Sequence, residues 1–322
     1  MLDALKIAVT ADDMQLFRDG PHLDRLREHG QVSVHPNLPK TTEEQIARSA
    51  GAQIVVGSSS ALDWPSEVFN ALPDLKLFTS ATIGMDSVDL AAAAANGVTV
   101  CNVPGKTSPV VAEHALALML AAARRLPVYT AALRGGAWPS VHGTYLAGKT
   151  LGIVGAGNSG AHLARLARGI GMDVVAWTFN PSETRAAELG VRFVGLDDLL
   201  RMADVVSLHV RLTSDTRHLI GKRHFAMMKP GSFLINVARG PIVDTDALVE
   251  ALNSRHLAGA GVDVFDSEPI RKDHPLLTCE NVVLTPHRAD NTLEGNAFLA
   301  DGVVENVTAY LAGHPQNVII SP

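Results

Sequence analysis

Short apolar runs alternate along the chain with segments in which apolar residues recur every three or four positions. The runs, rich in Val, Ile and Leu, predict buried strands, and the second pattern predicts helices with one face in a core. Predicted strands cover 5–10, 32–34, 53–57, 75–80, 98–102, 150–154, 173–179, 191–194, 204–208, 232–236, 259–264 and 282–285. Predicted helices cover 21–29, 42–50, 66–71, 88–95, 110–126, 181–189, 197–202 and 245–252, with another from 161 onward. This alternation predicts an α/β fold built on parallel sheets.

The segment 149–167 combines both patterns around three glycines. A predicted strand at 150–154 runs directly into Gly155, Gly157 and Gly160, spaced G-x-G-x-x-G, and helical spacing follows. In a dinucleotide site the first glycine allows a tight turn, the second lets a pyrophosphate approach the backbone, and the third lets helix and strand pack closely. The helix N-terminus adds free N–H groups and a positive dipole end. A tight packing turn explains a lone glycine motif equally well, but the flanking strand and helix favour dinucleotide binding.

Arg239, Glu268 and His287 each follow the end of a predicted strand. Ligands of an open α/β sheet bind beyond the carboxyl ends of its strands, so these side chains are candidates for one site. Singly they have structural explanations, as a surface arginine, a helix-capping acid and a loop histidine. Together they suit a reaction in which a guanidinium binds a carboxylate, an imidazole protonates a carbonyl as hydride arrives, and a carboxylate orients the imidazole. The predicted chemistry is reversible reduction of a 2-oxo acid.

Composition narrows the class of protein. The length of 322 residues suggests two domains, and the formal net charge of −6 without a basic run gives no indication of a nucleic-acid partner or an anionic membrane surface. Cys101 and Cys279 are too few for a disulfide framework and are expected as buried or free thiols. We find no signal-peptide pattern and no unbroken apolar stretch of spanning length, so we expect a soluble cytoplasmic protein. No metal site is predicted.

Several motifs together resemble one protein family. They are VAEHALALMLAAARR, GKTLGIVGAGNSG, MKPGSFLINVARGPIVDTDALVEAL, AGAGVDVFDSEP and NVVLTPH, spread over most of the chain. In them the chain is similar to the D-isomer-specific 2-hydroxyacid dehydrogenases, both glyoxylate or hydroxypyruvate reductases and phosphoglycerate dehydrogenases without a regulatory domain. The resemblance implies hydride transfer between NAD(P)H and a small 2-oxo acid or D-2-hydroxy acid. It also implies that Arg239, Glu268 and His287 are the catalytic set, with Arg239 binding the substrate.

The resemblance also implies a domain organisation. A Rossmann-type, doubly wound cofactor domain is expected at 103–289. A smaller flavodoxin-like α/β substrate domain, discontinuous in sequence, is expected at 1–102 and 290–322. Members of the family are usually homodimers, and the apolar helix predicted at 110–126, ended by Pro127, is a candidate subunit contact.

Further site residues follow from the resemblance and from the strand ends. The loop Ile83-Gly84 resembles the segment whose amides hold the substrate carboxylate, although an ordinary strand-to-helix loop has the same pattern, and Ser59 lies in a polar turn that shapes the pocket. Asp263 matches the acid that contacts the nicotinamide carboxamide; its structural alternative is a buried acid paired with local backbone. The other cofactor contacts are expected at Gly155, Gly157, Asn158, Ser159, Gly160, Thr178, Asn180, His209, Val210, Arg211, Val237 and Ala238.

The choice of cofactor departs from the simple motif. NAD sites of this type place an Asp or Glu about 20 residues past the glycines to bond the ribose 2′-OH, but this strand end carries Thr178. Thr178, Asn180 and Ser182 can hydrogen-bond a 2′-phosphate, and Arg185 and Arg211 can add positive charge. We therefore predict that NADPH is accepted, with a modest preference over NADH.

Single residues distinguish this chain from other enzyme classes with the same fold. Formate dehydrogenases resemble a pattern with Gln in place of Glu268, and phosphite dehydrogenases one with Lys in place of Ile83, so both are disfavoured. A dinucleotide-sensing binding protein, in which turnover is secondary, is compatible with an intact catalytic set and remains the alternative to an enzyme. After His287 the family usually has small, apolar residues. This chain instead has Arg288, Asp290 and Asn291.

Overall fold

The computed structural model describes residues 4–58 and 61–322 and has the α/β architecture with parallel sheets that the sequence predicts. The strands are β1 Lys6–Ala11, β2 Gln31–Val34, β3 Ile54–Gly57, β4 Leu77–Ser80, β5 Thr99–Cys101, β6 Thr150–Val154, β7 Asp173–Trp177, β8 Arg192–Phe193, β9 Val205–Leu208, β10 Ser232–Asn236, β11 Leu257–Val262, β12 Val282–Leu284 and β13 Val318–Ile320. The helices are α1 Pro21–Arg27, α2 Thr42–Ser49, α3 Ser66–Asn70, α4 Leu90–Ala95, α5 Ser108–Ala123, α6 Leu126–Arg134, α7 Asn158–Gly169, α8 Glu183–Leu189, α9 Leu196–Met202, α10 Lys222–Met227, α11 Thr245–Asn253 and α12 Leu293–Leu311. The chain divides into two compact units, Met1–Thr107 with Asn291–Pro322, and Ser108–Asp290.

The first unit contains a six-stranded sheet ordered β13-β5-β4-β3-β1-β2. Its neighbouring strands are parallel, except that β13 is antiparallel to β5. Strand β3 is buried along its whole length, which explains its continuous apolar sequence. Helix α12 contributes Leu299, Val303 and Val307 to the same core as Ile7 of β1. The C-terminal segment therefore completes both the sheet and the core of this unit.

The second unit contains a seven-stranded sheet ordered β12-β11-β10-β9-β6-β7-β8, and every neighbouring pair is parallel. One apolar core contains Leu118 of α5 and Leu163 of α7, and a second contains Leu199 of α9 and Leu248 of α11. Helices thus cover both faces of the sheet, as buried parallel strands require. The strand order reverses between β6 and β9, and in a doubly wound fold this reversal opens a ligand crevice at the carboxyl ends.

The predicted helix at 110–126 is wrong at its end. Helix α5 stops at Ala123, and Pro127 stands in the first turn of a separate helix, α6, rather than terminating the first one. Proline suits a first helical turn because its missing N–H has no partner to lose there. Arg125, with a φ of +53°, makes the break between the two helices.

Other elements lie outside the predicted ones. The sequence patterns did not predict α6, α10, α12 or β13, and α7 begins at Asn158 rather than at 161. The first turn of α7 is polar and contains Gly160, so no apolar period marks it. Helix α12 includes Gly302, where a Cβ would lie 2.7 Å from Cγ1 of Val103. Close packing requires this glycine, although glycine weakens the helical signal in a sequence.

Both cysteines are buried free thiols, as composition predicts. Burial raises the pKa of Cys101 to about 11, so this thiol stays protonated at neutral pH.

Within 4–58 and 61–322, no helix taken singly has the length and apolar character needed to cross a membrane. Helices α5 and α6 reach that threshold only when joined, and the pair is bent by 61°.

Candidate active site

Two glycines close the turn after β6 so tightly that a side chain at either would displace backbone. Gly155 has a φ of +104°, and a Cβ there would lie 2.7 Å from the carbonyl carbon of His209. A Cβ on Gly160 would lie 2.3 Å from the carbonyl oxygen of Gly155. Strand β6 and helix α7 therefore meet closer than side chains allow, which is the geometry predicted for the first and third glycines.

Gly157 differs because the space in front of it is open. Among residues 4–58 and 61–322, no heavy atom beyond its chain neighbours and its own helix backbone lies within 4 Å of the position that a Cβ would occupy. Gly157 is the N-cap of α7, no side chain caps this helix, and Asn158 and Ser159 form its first turn. Backbone N–H groups at such a helix end bind anions. The open space and the uncapped helix start fit the pyrophosphate of a dinucleotide.

The end of β7 carries polar groups and no acid. Thr178 is half-buried and Asn180 is exposed. The guanidinium of Arg185 donates hydrogen bonds to the carbonyl of Asn180 at 2.6 Å and to that of Ala156 at 2.9 Å. Ser182 Oγ accepts from the Arg185 N–H at 3.2 Å and caps α8. Arg185 therefore joins this strand end to the glycine turn and brings positive charge to it.

The segment after β9 lies against the glycine turn. The Nε2 atom of His209 lies 2.9 Å from Ser207 Oγ, and burial lowers the pKa of His209 to about 4, so this imidazole is neutral at physiological pH. Val210 is half-buried against the core, whereas Arg211 is exposed and its carbonyl accepts from Thr216 Oγ1 at 2.6 Å. Here His209 and Val210 shape the turn, and Arg211 presents charge to solvent.

The turn after β10 is held by Asn236, which sequence reasoning missed. Its side-chain oxygen accepts from the Ala238 N–H at 3.1 Å, and its amide nitrogen donates to the carbonyl of Arg239 at 3.0 Å. Val237 and Ala238 are buried and Arg239 is half-buried. An Asn at the end of a buried strand was the available signal, since Asn side chains commonly bond their own following backbone.

Gly240 brings the turns after β10 and β11 into direct contact. A Cβ on Gly240 would lie 1.9 Å from the carbonyl carbon of Phe265, so the two backbones touch where any side chain would separate them. Arg239 precedes this contact and Glu268 follows it along the other turn. The contact therefore holds the two residues at neighbouring strand ends.

Glu268 and His287 form a short hydrogen-bonded pair. The His287 Nδ1 and Glu268 Oε2 atoms lie 2.5 Å apart, and Glu268 Oε1 accepts from the Phe265 N–H at 2.8 Å. The bond to Glu268 raises the pKa of His287, against the opposing effects of burial and of the Arg239 charge. Burial favours a higher pKa for Glu268, but the bonds from His287 and Phe265 and the Arg239 charge outweigh it and lower that pKa. The pair therefore favours its carboxylate and imidazolium forms in the field of a guanidinium.

Asp263 is fully buried and bonded within its own unit. Its carboxylate accepts from the Thr285 hydroxyl at 2.6 Å and from the N–H groups of Arg288 and Ala289, each at 2.9 Å. Burial favours a higher pKa for Asp263, but the His114 imidazole, whose Nε2 lies 3.6 Å from Oδ1, and the hydrogen bonds from Arg288 and Thr285 lower it. The structure thus shows a buried acid paired with local backbone. A contact with the nicotinamide remains a prediction.

Two partners in this network, His114 and Thr285, were also missed by sequence reasoning. His114 is a polar residue among the apolar ones of α5, and Thr285 directly follows β12. Each is visible in the sequence as a polar residue beside apolar ones, but nothing in the sequence pairs them.

Asp290 adds a further carboxyl to this region. Burial raises the pKa of Asp290, and the charge of His287 opposes the rise. Arg288, by contrast, is exposed. The residues after His287 therefore place one additional acid, of raised pKa, in the electrostatic field of the pair.

In the first unit, side chains hold the predicted substrate loop Ile83-Gly84. Asn102 Nδ2 donates to the carbonyl of Ile83 at 2.7 Å, and Thr82 Oγ1 donates to that of Gly84 at 2.9 Å. Both carbonyl oxygens of the loop are engaged by the protein, so its N–H groups are the candidates for an anion contact. The other predicted substrate residue, Ser59, lies outside the described residues.

The second unit thus offers a guanidinium, a carboxylate and an imidazole at successive strand ends of a dinucleotide-type sheet. This set can bind a carboxylate and move a proton to or from a neighbouring oxygen. Among the residues that the structure describes, no group of three or more His, Cys, Asp or Glu side chains is placed to hold a metal ion.

Comparison with known proteins shows which family the chain resembles. Residues 116–289 match the family described as D-isomer specific 2-hydroxyacid dehydrogenase, NAD binding domain. The chain is 41% identical over 307 residues to a glyoxylate reductase of Korarchaeum cryptofilum, covering 92% of each protein. It is 38% identical over 296 residues to a D-3-phosphoglycerate dehydrogenase of Archaeoglobus fulgidus, covering 91% of this chain and 56% of that one. A crystal structure of a protein from Thermus thermophilus, 38% identical, superposes with a TM-score of 0.87 over 98% of this chain and 99% of the other.

Separate replacement of two glycines tests the pyrophosphate site. We expect Gly157→Ala to fold normally, because its Cβ would enter open space, but to weaken dinucleotide binding about 10-fold or more, ~1.4 kcal/mol. Gly160→Ala should instead lower thermal stability, since its Cβ would lie 2.3 Å from the Gly155 carbonyl oxygen. Fluorescence titration with reduced cofactor and thermal denaturation measure the two effects. Unchanged cofactor affinity in Gly157→Ala would place the pyrophosphate elsewhere.

Proposed function

The chain belongs to the D-isomer-specific 2-hydroxyacid dehydrogenase family, and on that premise we propose that Arg239, Glu268 and His287 carry out its reaction on a small 2-oxo acid. The protein is an NAD(P)-dependent oxidoreductase that transfers hydride between the nicotinamide and a 2-oxo or 2-hydroxy acid. The observation that carries the residue assignment is the 2.5 Å contact between His287 Nδ1 and Glu268 Oε2, in the field of Arg239.

His287 is assigned the proton transfer. Glu268 occupies its Nδ1 atom, so the Nε2–H is the proton that can reach a substrate. In reduction the imidazolium donates this proton to the substrate carbonyl oxygen, while the carbonyl carbon receives hydride. In oxidation neutral His287 takes the proton back from the hydroxyl. The bound nicotinamide cofactor supplies or accepts the hydride.

Arg239 is assigned to the substrate carboxylate. Its planar guanidinium can bind a carboxylate through two parallel hydrogen bonds and can polarise the adjacent carbonyl. In the first unit we assign a further carboxylate contact to the N–H groups of Ile83 and Gly84, because the carbonyl oxygens of that loop are already engaged.

The cofactor contacts are assigned along the carboxyl ends of the strands. The pyrophosphate is assigned to the start of α7, the adenosine to the ends of β7 and β9, and the nicotinamide to the ends of β10 and β11. The position of Arg185 at the end of β7, together with the absence of an acid at Thr178, supports acceptance of a 2′-phosphate. NADPH is therefore the modestly preferred cofactor.

A homodimer is the proposed assembly. Apolar side chains are exposed along 120–145 of the second unit: Leu120 36%, Leu126 50%, Leu133 53%, Trp138 90%, Val141 37% and Tyr145 78%. Such a concentration of exposed apolar groups marks a protein contact. Two free buried thiols without a disulfide suit a reducing compartment, and we propose a cytoplasmic location.

The proton-transfer assignment is tested with two variants. His287→Ala should lower turnover roughly 10²–10⁴-fold and leave the dissociation constant of the cofactor nearly unchanged. Glu268→Gln should shift the alkaline limb of the pH profile for reduction to lower pH. Reduction needs the imidazolium, so activity is present below the raised pKa of His287 and is lost as pH rises through it. Removing the carboxylate lowers that pKa.

A matched control exists in the first unit. His22 also contacts a carboxylate, with Nε2 3.3 Å from Asp301 Oδ1, and His22→Ala should keep both turnover and pH profile. Both are measured by the oxidation of reduced cofactor. Normal turnover of His287→Ala would refute the assignment of the proton donor, and an unchanged profile in Glu268→Gln would reduce Glu268 to a structural role.

Cofactor preference is measured as the ratio of kcat/KM for NADPH and NADH, with glyoxylate, hydroxypyruvate and pyruvate as substrates. We expect a modest excess for NADPH, and Arg185→Gln should reduce the value for NADPH more than that for NADH. A preference of the native protein for NADH of about 10-fold or more, ~1.4 kcal/mol, would contradict the proposal. Failure to oxidise either cofactor with any of the three acids would count against the proposed substrate class.

The assembly is tested by sedimentation equilibrium at micromolar concentration. The native chain should have twice its monomer mass, and Trp138→Ser combined with Leu133→Ser should shift it toward the monomer. A native monomer at these concentrations would refute the homodimer.

A further inference from the structure

The segment that carries His287 is bonded to a single buried residue through three successive backbone groups. The His287 N–H donates to the Asp263 carbonyl at 2.7 Å. The Arg288 N–H donates to Asp263 Oδ1 and the Ala289 N–H to Asp263 Oδ2, each at 2.9 Å. The position of this turn is therefore set by the position of both the main chain and the carboxylate of Asp263.

The backbone of His287 needs such support. Its φ is +52°, in the left-handed region that residues with a side chain rarely adopt. A residue persists in that region only where the surrounding structure holds it there. The bonds that Asp263 accepts from this segment, together with the contact between His287 and Glu268, oppose a return to the ordinary conformation.

The Asp263 carboxylate is in turn oriented by a directed chain of hydrogen bonds. The Thr285 hydroxyl donates its one proton to Asp263 Oδ1 at 2.6 Å. The same hydroxyl oxygen lies 3.0 Å from Nε2 of His114 and therefore accepts from that nitrogen, which carries a proton. His114 Nε2 is also 3.6 Å from Asp263 Oδ1. Donation thus runs from His114 on α5 to Thr285 and on to Asp263.

We propose that His114 and Thr285 are positioning residues for proton transfer. They orient the buried Asp263 carboxylate, and through it the turn from which His287 reaches Glu268. This inference rests on the proposed role of His287 as proton donor. Neither His114 nor Thr285 is assigned a contact with substrate or cofactor.

The short contact between His287 and Glu268 makes the reaction sensitive to the hydrogen bonds that join His114, Thr285 and Asp263. Glu268 is fixed from its own side, because its second oxygen accepts from the Phe265 N–H at 2.8 Å. A displacement of the His287 turn is therefore not followed by Glu268 and lengthens their 2.5 Å contact. The expected consequences are weaker proton transfer and a loss of the effect by which Glu268 favours the imidazolium.

The test compares variants that remove or keep each hydrogen bond. Thr285→Val removes the hydroxyl at nearly constant volume, and Thr285→Ser restores it. His114→Phe removes the donor, and His114→Gln supplies another. We expect Thr285→Val and His114→Phe to lower kcat for 2-oxo acid reduction about 10- to 100-fold and to shift the alkaline limb of the kcat pH profile to lower pH. Thr285→Ser and His114→Gln should recover most of both, and the dissociation constant of NADPH should change less than kcat in all four.

Thr308→Val is the matched control. Thr308 Oγ1 also lies 3.0 Å from a histidine Nε2, that of His29, but this pair belongs to the first unit. This variant should keep the native kcat and pH profile. It thereby distinguishes the loss of any Thr–His hydrogen bond from the loss of the bond between Thr285 and His114.

The outcomes separate this inference from the proposed function. If His287→Ala retains turnover, the proposed function fails. If His287→Ala is inactive while Thr285→Val and His114→Phe keep the native kcat and pH profile, the positioning role is refuted. Weakened NADPH binding with unchanged kcat at saturation would also refute it and make the network part of the cofactor site. If Thr285→Val does not fold, the positioning role is tested with His114→Phe and His114→Gln, by the same measurements of kcat and its pH profile.

Discussion

A sheet of parallel strands has all its carboxyl ends along one edge, and the proposed site depends on that constraint. Arg239 follows β10, Glu268 follows β11 and His287 follows β12, so residues far apart in sequence come to adjacent positions. Gly240 then lets two of the turns touch. The chemistry is therefore assembled by strand order, and local side-chain contacts complete it.

Three carboxyl groups in this region have different surroundings. Glu268 and Asp263 are buried enough for burial to favour their neutral forms, yet hydrogen-bond donors outweigh this and lower both pKa values. For Asp290 burial prevails and the pKa is raised. Glu268 and Asp263 each accept from several donors, among them backbone N–H groups at loop turns, whereas the bond to Asp290 from its own backbone does not outweigh burial. The loops of this edge thus control charge as well as position.

The sequence predicts what depends on local pattern. The predicted strands at 150–154 and 232–236 agree with β6 and β10, because each is a buried run that ends at a turn. Pro127 was misinterpreted because a proline signals both the end of one helix and the first turn of another. The candidate site residues could be identified because each follows a strand whose end is visible in the sequence. The structure brings two of them, Glu268 and His287, into contact. The partners of Asp263 lie 22, 25 and 26 residues away and depend on how two loops are placed, which no periodicity encodes.

The uncapped start of α7 affects how well the folded chain resists unfolding and proteolysis. Helix ends without side-chain partners leave polar groups unsatisfied, and an anion bound there stabilises only the folded chain. A ligand at one hundred times its dissociation constant adds about 2.7 kcal/mol to the free energy of unfolding by mass action. With the proposed dinucleotide site at this helix start, the stability of the folded chain would rise with the concentration of free cofactor, and a depleted cofactor pool would leave more of the chain open to unfolding and proteolysis.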